Sequence, residues 1–202
     1  MDRAILLTGF EPFGGERMNP SWEVAERLKG RRFGDATVHA VRLPVNCSHA
    51  AAAVTEALEE LQPVAFLGLG QAGGRPALSL EKVALNLIDE HPTRETDGGI
   101  DGQPIVREGP DAYFSRLPLK QLLEALREHQ VPAALSLSAG VYICNAVMYV
   151  AMHSLRERNA PAGFIHLPYE TAQVTRRAAP SMPLDLMVTG IEVVLNTLSS
   201  LP

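Results

Sequence analysis

The feature that most constrains the fold of this 202-residue chain is the alternation of short apolar runs with longer helical patterns. The apolar runs predict buried strands at residues 4–8, 37–43, 64–69, 133–137 and 163–167. The longer patterns predict helices at 20–29, 48–62, 119–130, 144–159 and 184–199. Strands that alternate with helices in this way form a sheet with helices on both faces. We therefore predict an α/β fold, a three-layer α/β/α sandwich on a largely parallel, mixed central sheet, as a single domain over 1–202.

Composition narrows the possible partners and location. Hydrophobic residues make up 46% of the chain, charged residues 20%, and the net charge is −5 without a block of like charge. A negative net charge without a basic block favours neither nucleic acid nor an anionic membrane as a partner. The start MDRAILLTGF is not typical of a signal peptide, and no run approaches the roughly 20 apolar residues of a membrane span. Two cysteines without C-x-x-C spacing predict neither a disulfide framework nor a metal site, so we expect a cytoplasmic protein with reduced thiols.

A glycine loop follows the third predicted strand. Gly68, Gly70 and Gly73 satisfy the G-x-G-x-x-G pattern of dinucleotide-binding proteins. In those proteins a helix follows at once and holds the pyrophosphate at its N-terminus. Here Val83 and Leu85 belong to an alternating pattern that suggests another strand, although a helical pattern is also present. The loop is therefore weak support for nucleotide binding, and a tight turn that needs glycine is the plainer interpretation.

Cys144 stands where the fourth predicted helix begins. Most cysteines in soluble proteins are small buried hydrophobic residues, which favours a packing role. At a helix N-terminus, however, the pKa of a thiol can fall from about 8.5 to about 3.5–7.5. Cys47 also lies near the start of a helix, so position alone does not separate the two cysteines.

A nucleophilic cysteine needs a base and a group that orients the base. His166 lies near the carboxyl end of the last predicted strand, the end beside which open α/β sheets bind ligands. His153 is nine residues beyond Cys144 on the same predicted helix and so lies out of reach. Glu81 shares the strand alternation of Val83, which predicts a buried carboxylate with a charged partner. A solvated glutamate at a strand end fits the spacing equally well.

Five separated stretches together resemble type I pyroglutamyl peptidase, a family of cysteine peptidases. Residues 8–28, TGFEPFGGERMNPSWEVAERL, resemble its N-terminal block, and residues 68–86, GLGQAGGRPALSLEKVALN, its central block. Three shorter stretches resemble its later blocks: GPDAYFSRLPLK at 109–120, LSAGVYICNAVMY at 137–149 and GFIHLPY at 163–169. The resemblance runs in the family's order from residue 5 to about residue 170, which makes it far more specific than any single motif.

This resemblance assigns roles to residues. It implies that Cys144 is the nucleophile, His166 the base and Glu81 the acid that orients the base. The fold that it implies is α/β/α, with no cofactor and often a homotetramer. The implied reaction is the removal of N-terminal pyroglutamate from peptides through a thioester acyl-enzyme.

The resemblance also implies a substrate pocket. Phe10 and Phe13 fall where the family contacts the pyroglutamate ring, and Gln71 lies in the loop that borders the same pocket. The glycine loop would then shape the pocket and bind no nucleotide.

The chain departs from the family pattern after the central block. The family usually has Asp-Ala-Arg-Ile-Pro-Asp, where this chain has Asp-Glu-His-Pro-Thr-Arg at 89–94. His91 thus replaces an arginine expected near the oxyanion, and we hypothesise partial compensation by Arg94 or by a protonated His91. A second departure follows His166, where YETAQ stands at 169–173 in place of a run toward Pro-Glu-Gln.

Two other functions fit parts of the pattern. A nucleoside-phosphorylase-like enzyme also has an α/β sandwich, but it needs a basic phosphate cradle for which Arg75 and Arg94 are the obvious candidates. An inactive family member that serves as a binding module would keep the fold and lose the reactive thiol.

Overall fold

The computed structural model describes residues 3–89, 102–158 and 160–200. The strands are β1 Arg3–Phe10, β2 Arg32–Phe33, β3 Ala36–Leu43, β4 Ala65–Gln71, β5 Leu78–Glu81, β6 Val83–Leu85, β7 Ala112–Phe114, β8 Ala133–Ser136, β9 Ala162–Leu167, β10 Tyr169–Glu170 and β11 Ser181–Met182. The α-helices are α1 Pro20–Leu28, α2 Cys47–Leu61, α3 Leu119–Glu128, α4 Ile143–Ser154 and α5 Leu184–Ser199. A short 3₁₀ helix spans Thr171–Val174.

Seven strands of the described chain form the central sheet in the order β2-β3-β1-β4-β9-β5-β8. The pairs β3–β1, β1–β4 and β4–β9 are parallel, and β5 pairs parallel with β8. The contacts β2–β3 and β5–β9 are antiparallel, so the sheet is mixed. The predicted fold class, a largely parallel mixed sheet between helices, is confirmed. That one domain extends over all of 1–202 stays a prediction.

Helices cover both faces of this sheet because its strands alternate their side chains. Ile5 and Leu7 of β1 join the core that α1, α3 and α5 complete, whereas Leu6 joins the core of α2 and α4. The same alternation in β9 sends Ile165 to the first core and Phe164 to the second. Residues of one strand two positions apart therefore face the same helices.

Local sequence signals explain where helices begin and end. Asn19 accepts a hydrogen bond from the Ser21 N–H at 3.1 Å and Pro20 opens α1, which agrees with the predicted helix start at residue 20. Helix α4 ends at Ser154, before the predicted end at residue 159. Beyond it, the Arg116 guanidinium donates to the carbonyls of Leu155 and Arg158 at 2.9 and 2.7 Å, which holds this stretch as a turn.

The glycine loop leads into a strand. Strand β4 continues to Gln71, a turn follows, and the chain enters β5 at Leu78 without an intervening helix in this described stretch. The geometry required for a dinucleotide at a helix N-terminus is thus absent there. In the described part of the chain, no helix is both long enough and apolar enough to span a bilayer.

Strand β8 differs from the prediction of a buried strand. It lies at the edge of the sheet, and its Leu135 is 46% exposed. An apolar run alone cannot distinguish an edge strand from a central strand, because strand order depends on contacts between distant parts of the chain.

Candidate active site

Three strands and one helix bring the predicted catalytic side chains together. His166 lies two residues beyond Phe164 on β9 and therefore faces α4. In the antiparallel register of β5 with β9, His166 stands opposite Ser79, and Glu81 follows on the same face as Ser79. Gly70 of β4 is the parallel partner of His166. Helix α4, with Cys144 in its first turn, packs against β4 and β9.

Glu81 and His166 form a buried pair. Both residues are buried, Glu81 completely, and His166 Nδ1 lies 2.7 Å from Glu81 Oε1. Because a carboxylate oxygen can only accept, Nδ1 carries the proton, and Nε2 of a neutral imidazole is left as an acceptor. The prediction of a buried Glu81 with a charged partner is confirmed, since Arg75 is that charged partner, and the alternative of a solvated strand-end glutamate is wrong.

Arg75 is a second partner of Glu81. Its Nη1 donates to the same Oε1 at 2.7 Å from the turn between β4 and β5. Burial alone would raise the pKa of Glu81, but hydrogen bonding from His166, Ser136 and Arg75 and the charge of His166 outweigh burial and hold this pKa below its ordinary value. The carboxylate is therefore ionised at neutral pH.

Cys144 is the second residue of α4, and its sulfur packs against the glycine strand. A Cβ placed on Gly70 would lie 2.8 Å from Cys144 Sγ. Burial, with the negative charge of Glu81, raises the pKa of Cys144 from 9.0 to about 12, and Arg75 opposes this rise. The pKa of this thiol is therefore raised and not lowered as its place at a helix N-terminus would predict, and the resting thiol keeps its proton.

The glycine loop makes room for the site. A Cβ on Gly68 would lie 2.4 Å from the Phe164 ring, and one on Gly73 would lie 2.1 Å from the Tyr169 ring. With Gly70, these are the three positions of the G-x-G-x-x-G match. Each glycine is required by close approach of a neighbouring side chain, which accounts for the motif without a nucleotide.

A pocket of about 230 Å³ opens beside Cys144. It is lined by Phe10, Phe13, Asn19, Val45, Gln71, Tyr142, Ile143 and Cys144. The structure therefore brings the three residues predicted to border the pocket, Phe10, Phe13 and Gln71, beside Cys144, the predicted nucleophile. Gln71 Oε1 accepts from Gln173 Nε2 at 3.0 Å, which orients the Gln71 amide.

Some residues of the site were not predicted from the sequence. Asn145 follows Cys144 and is fully buried, where its side chain accepts from the Leu85 N–H at 2.8 Å and donates to the carbonyls of Leu85 and Leu87, both at 2.9 Å. From the sequence, Arg75 is a candidate only for a phosphate ligand. Its position in the turn after the glycine loop gave no sign that it would reach Glu81.

Three other residues considered from the sequence are not part of the described site. His153 lies away from this site, with Nδ1 2.8 Å from the Tyr113 hydroxyl. His91 and Arg94, the suggested oxyanion support, lie outside the described residues. Over the ranges that the structure describes, no cluster of three or more His, Cys, Asp or Glu residues could hold a metal ion.

An α/β sandwich that packs a thiol at a helix N-terminus on the sheet face that also carries a carboxylate-bound histidine has the arrangement of a cysteine hydrolase. Residues 3–200 match the model of a family described as pyroglutamyl peptidase. A pyrrolidone-carboxylate peptidase of Yersinia pestis (strain Pestoides F) is 42% identical over 198 residues, which cover 96% of this chain and 92% of that relative. The chain belongs to the pyroglutamyl peptidase family.

Solved structures agree with this assignment. The crystal structure of pyroglutamyl peptidase I from Bacillus amyloliquefaciens superimposes with a TM-score of 0.90 at 35% identity and covers 98% of both chains. A mutant pyrrolidone carboxyl peptidase from the hyperthermophile Pyrococcus furiosus gives 0.89 at 37% identity and covers 96% of this chain and 97% of that one.

Proposed function

We propose that Cys144, His166 and Glu81 remove N-terminal pyroglutamate from peptides, the hydrolysis that membership of this family assigns to the protein. The observation that carries the proposal is the 2.7 Å contact of Glu81 with His166 on the sheet face against which Cys144 packs. Gly70 links the pair to the thiol, because it is the register partner of His166 and adjoins the sulfur.

The proposed reaction begins with a neutral thiol. His166 Nε2 takes the proton from Cys144 Sγ as the sulfur attacks the pyroglutamyl carbonyl carbon, and Glu81 stabilises the imidazolium that forms. The imidazolium then gives this proton to the leaving amine as the C–N bond breaks, which leaves a thioester. His166 next deprotonates a water molecule that attacks the thioester, and the released thiolate recovers the proton.

The start of α4 supports the developing oxyanion. The first N–H groups of a helix have no acceptor within the helix, and in α4 the first such bond runs from the Ala146 N–H to the Tyr142 carbonyl. The Cys144 N–H is therefore placed to donate to the carbonyl oxygen as it gains charge.

The pocket suits a neutral lactam ring. Phe10, Phe13 and Val45 supply apolar surface, and the oriented Gln71 amide can donate from Nε2 to the lactam carbonyl. An N-terminal glutamate would bring an ammonium and a carboxylate into the same space. Each charge is costly to bury without a partner, so the pocket selects pyroglutamate.

The alternative of a phosphorylase-like enzyme is not favoured. Its phosphate cradle would need Arg75, which is bound to Glu81, and Arg94, which lies outside the described residues. The alternative of an inactive binding module predicts that Cys144 reacts no faster than an ordinary buried thiol.

Further parts of the proposal are a cytoplasmic location, a homotetramer, catalysis without a cofactor, and oxyanion support from His91 or Arg94. They follow from the sequence and from the family resemblance. The contacts of Cys144, His166 and Glu81 described above are independent of all four.

Release of a fluorophore from a pyroglutamyl amide tests the proposed function. Glutamyl and prolyl amides of the same fluorophore serve as matched controls, because the first restores the charges and the second removes the lactam carbonyl. We expect rapid release from the pyroglutamyl amide alone. Comparable release from the glutamyl amide would contradict this account of selectivity.

A further inference from the structure

We infer that Arg75 is a positioning residue of this active site: it fixes the Glu81 carboxylate against His166 and offsets the charge of Glu81 at the Cys144 sulfur. The inference rests on the proposed roles of Cys144, His166 and Glu81. It gives a catalytic purpose to an arginine that the reaction itself does not require.

The first support is the geometry of the ion pair. Arg75 Nη1 and His166 Nδ1 both lie 2.7 Å from the same oxygen, Glu81 Oε1. The side chain of Arg75 is 36% exposed, whereas that of Glu81 is completely buried. Arg75 thus reaches from the solvent edge of the site to a carboxylate that water cannot hydrate.

The second support is the other carboxylate oxygen. Glu81 Oε2 is buried and has no hydrogen-bond partner among the described residues. Ser136 stands opposite Glu81 in the parallel register and contributes to the lowered pKa of Glu81, but its hydroxyl also lies 3.3 Å from the Ser138 carbonyl, to which it donates. The two hydrogen bonds of 2.7 Å to this carboxylate, from His166 and Arg75, both converge on Oε1. Without Arg75, His166 is the one remaining donor at that oxygen in the described chain.

The third support is the charge around the sulfur. The titratable or charged groups that act on Cys144 are Glu81 of β5, Cys47 of α2 and Arg75. Glu81 and Cys47 raise the thiol pKa, and Arg75 alone among these three lowers it. Glu81 is needed to orient His166, but its charge opposes thiolate formation. Arg75 offsets the negative charge of Glu81 at the sulfur and leaves the carboxylate in place to orient His166.

The test compares Arg75→Gln, which removes the charge, with Arg75→Lys, which keeps it. Arg32→Gln is the matched control, since Arg32 is an exposed arginine on β2 at the opposite edge of the sheet. Each variant is assayed for kcat and KM on the pyroglutamyl amide. The pH dependence of Cys144 alkylation by iodoacetamide is measured in a Cys47→Ser background, so that one thiol reports.

We expect Arg75→Gln to lower kcat by about 10- to 100-fold with little change in KM, because the groups that it misplaces act on the reaction and do not bind the ring. The midpoint of alkylation should move to higher pH, since the thiolate loses a nearby cation. Arg75→Lys should restore the midpoint and part of kcat, and Arg32→Gln should match the wild type.

Two results would overturn the inference. One is wild-type kcat and an unchanged alkylation midpoint in Arg75→Gln. The other is an equal loss of kcat in Arg75→Gln and Arg75→Lys with a lowered Tm and no shift of the midpoint, which would show a purely structural role. Failure of the proposed function is distinguished by Cys144→Ser: turnover that survives in this variant refutes the nucleophile, whatever the Arg75 variants do.

Discussion

Glu81 carries the most specific prediction at the scale of one residue, because its buried carboxylate fixes which nitrogen of His166 carries the proton. Glu81→Gln replaces an acceptor oxygen with an amide that can also donate, so the wrong tautomer of His166 becomes favourable. We expect kcat to fall by about 10²–10⁴-fold, and His166→Ala to remove at least as much activity. Steady-state kinetics on the pyroglutamyl amide measures both. Near-normal turnover in Glu81→Gln would exclude this carboxylate from the mechanism.

Gly70 supports a second prediction at this scale. A Cβ at this position would stand 2.8 Å from Cys144 Sγ and 2.9 Å from the Phe164 ring, closer than non-bonded atoms normally approach. Gly70→Ala should therefore displace the sulfur and lower kcat by on the order of 100-fold, since small misplacements of reacting atoms are that costly. Kinetics together with circular dichroism checks this. Full activity in a folded Gly70→Ala would show that the sulfur does not depend on this gap.

Individual residues differ in how far the sequence reveals them. The roles proposed for Cys144 and His166 come from the family resemblance, and their positions at a helix start and a strand end agree with those roles. The spacing of Glu81 left its burial undecided, because alternation does not say which face of a strand is covered. The contact of Arg75 with Glu81 was not predicted, since it depends on the path of the turn between β4 and β5.

At the scale of elements, Asn145 attaches α4 to β6 and to the chain just beyond it. Three hydrogen bonds of 2.8–2.9 Å join its side chain to the backbone of Leu85 and Leu87. Asn145→Ala would leave buried backbone groups without partners and should lower the free energy of unfolding by on the order of 3 kcal/mol. Because Cys144 is the neighbouring residue, kcat should fall as well. Urea unfolding and kinetics of the same preparation measure the two effects.

Asn196→Ala is the matched control, since Asn196 is an exposed residue of α5. It should change the free energy of unfolding by less than about 0.5 kcal/mol. An Asn145→Ala variant as stable and as active as this control would show that the Asn145 hydrogen bonds do not hold α4 in place.

The elements themselves were largely predictable. Helix and strand patterns gave the type and approximate position of α1, α5, β1 and β9, because buried elements show their period in the sequence. The antiparallel direction of β5 against β9 was not predicted, since it depends on pairing between parts of the chain that lie far apart. That pairing is what sets Glu81 beside His166.

At the scale of the whole molecule, His153 links stability to pH. Burial, with the positive charge of Arg156, lowers the pKa of His153 below 6.5. The unfolded chain therefore binds this proton more readily than the folded chain does. The contribution of the neutral imidazole is complete above pH 6.5 and is lost as the pH falls toward the folded pKa. The pKa of Glu81 is lowered from 4.5, so its carboxylate also stabilises the folded chain. This contribution is complete above pH 4.5 and is lost as the pH falls through the folded pKa of Glu81.

His153→Gln should accordingly make the free energy of unfolding less dependent on pH between 7 and 5. His153 Nδ1 lies 2.8 Å from the Tyr113 hydroxyl, and a protonated imidazole can no longer accept a hydrogen bond at this nitrogen. His39→Gln is the control, because His39 is exposed on β3. Urea unfolding at a series of pH values gives the three slopes. A slope in His153→Gln equal to that of the wild type would show that this histidine is not the linked group.

The identity of the residue that carries the acyl group during turnover shows directly whether Cys144 is the nucleophile. The enzyme is mixed with a pyroglutamyl ester, quenched in acid within the first turnover, and digested for mass spectrometry. We expect one pyroglutamyl group on the peptide that contains Cys144, with no adduct and no turnover in Cys144→Ala. An adduct on Cys47, or continued turnover in Cys144→Ala, would contradict it.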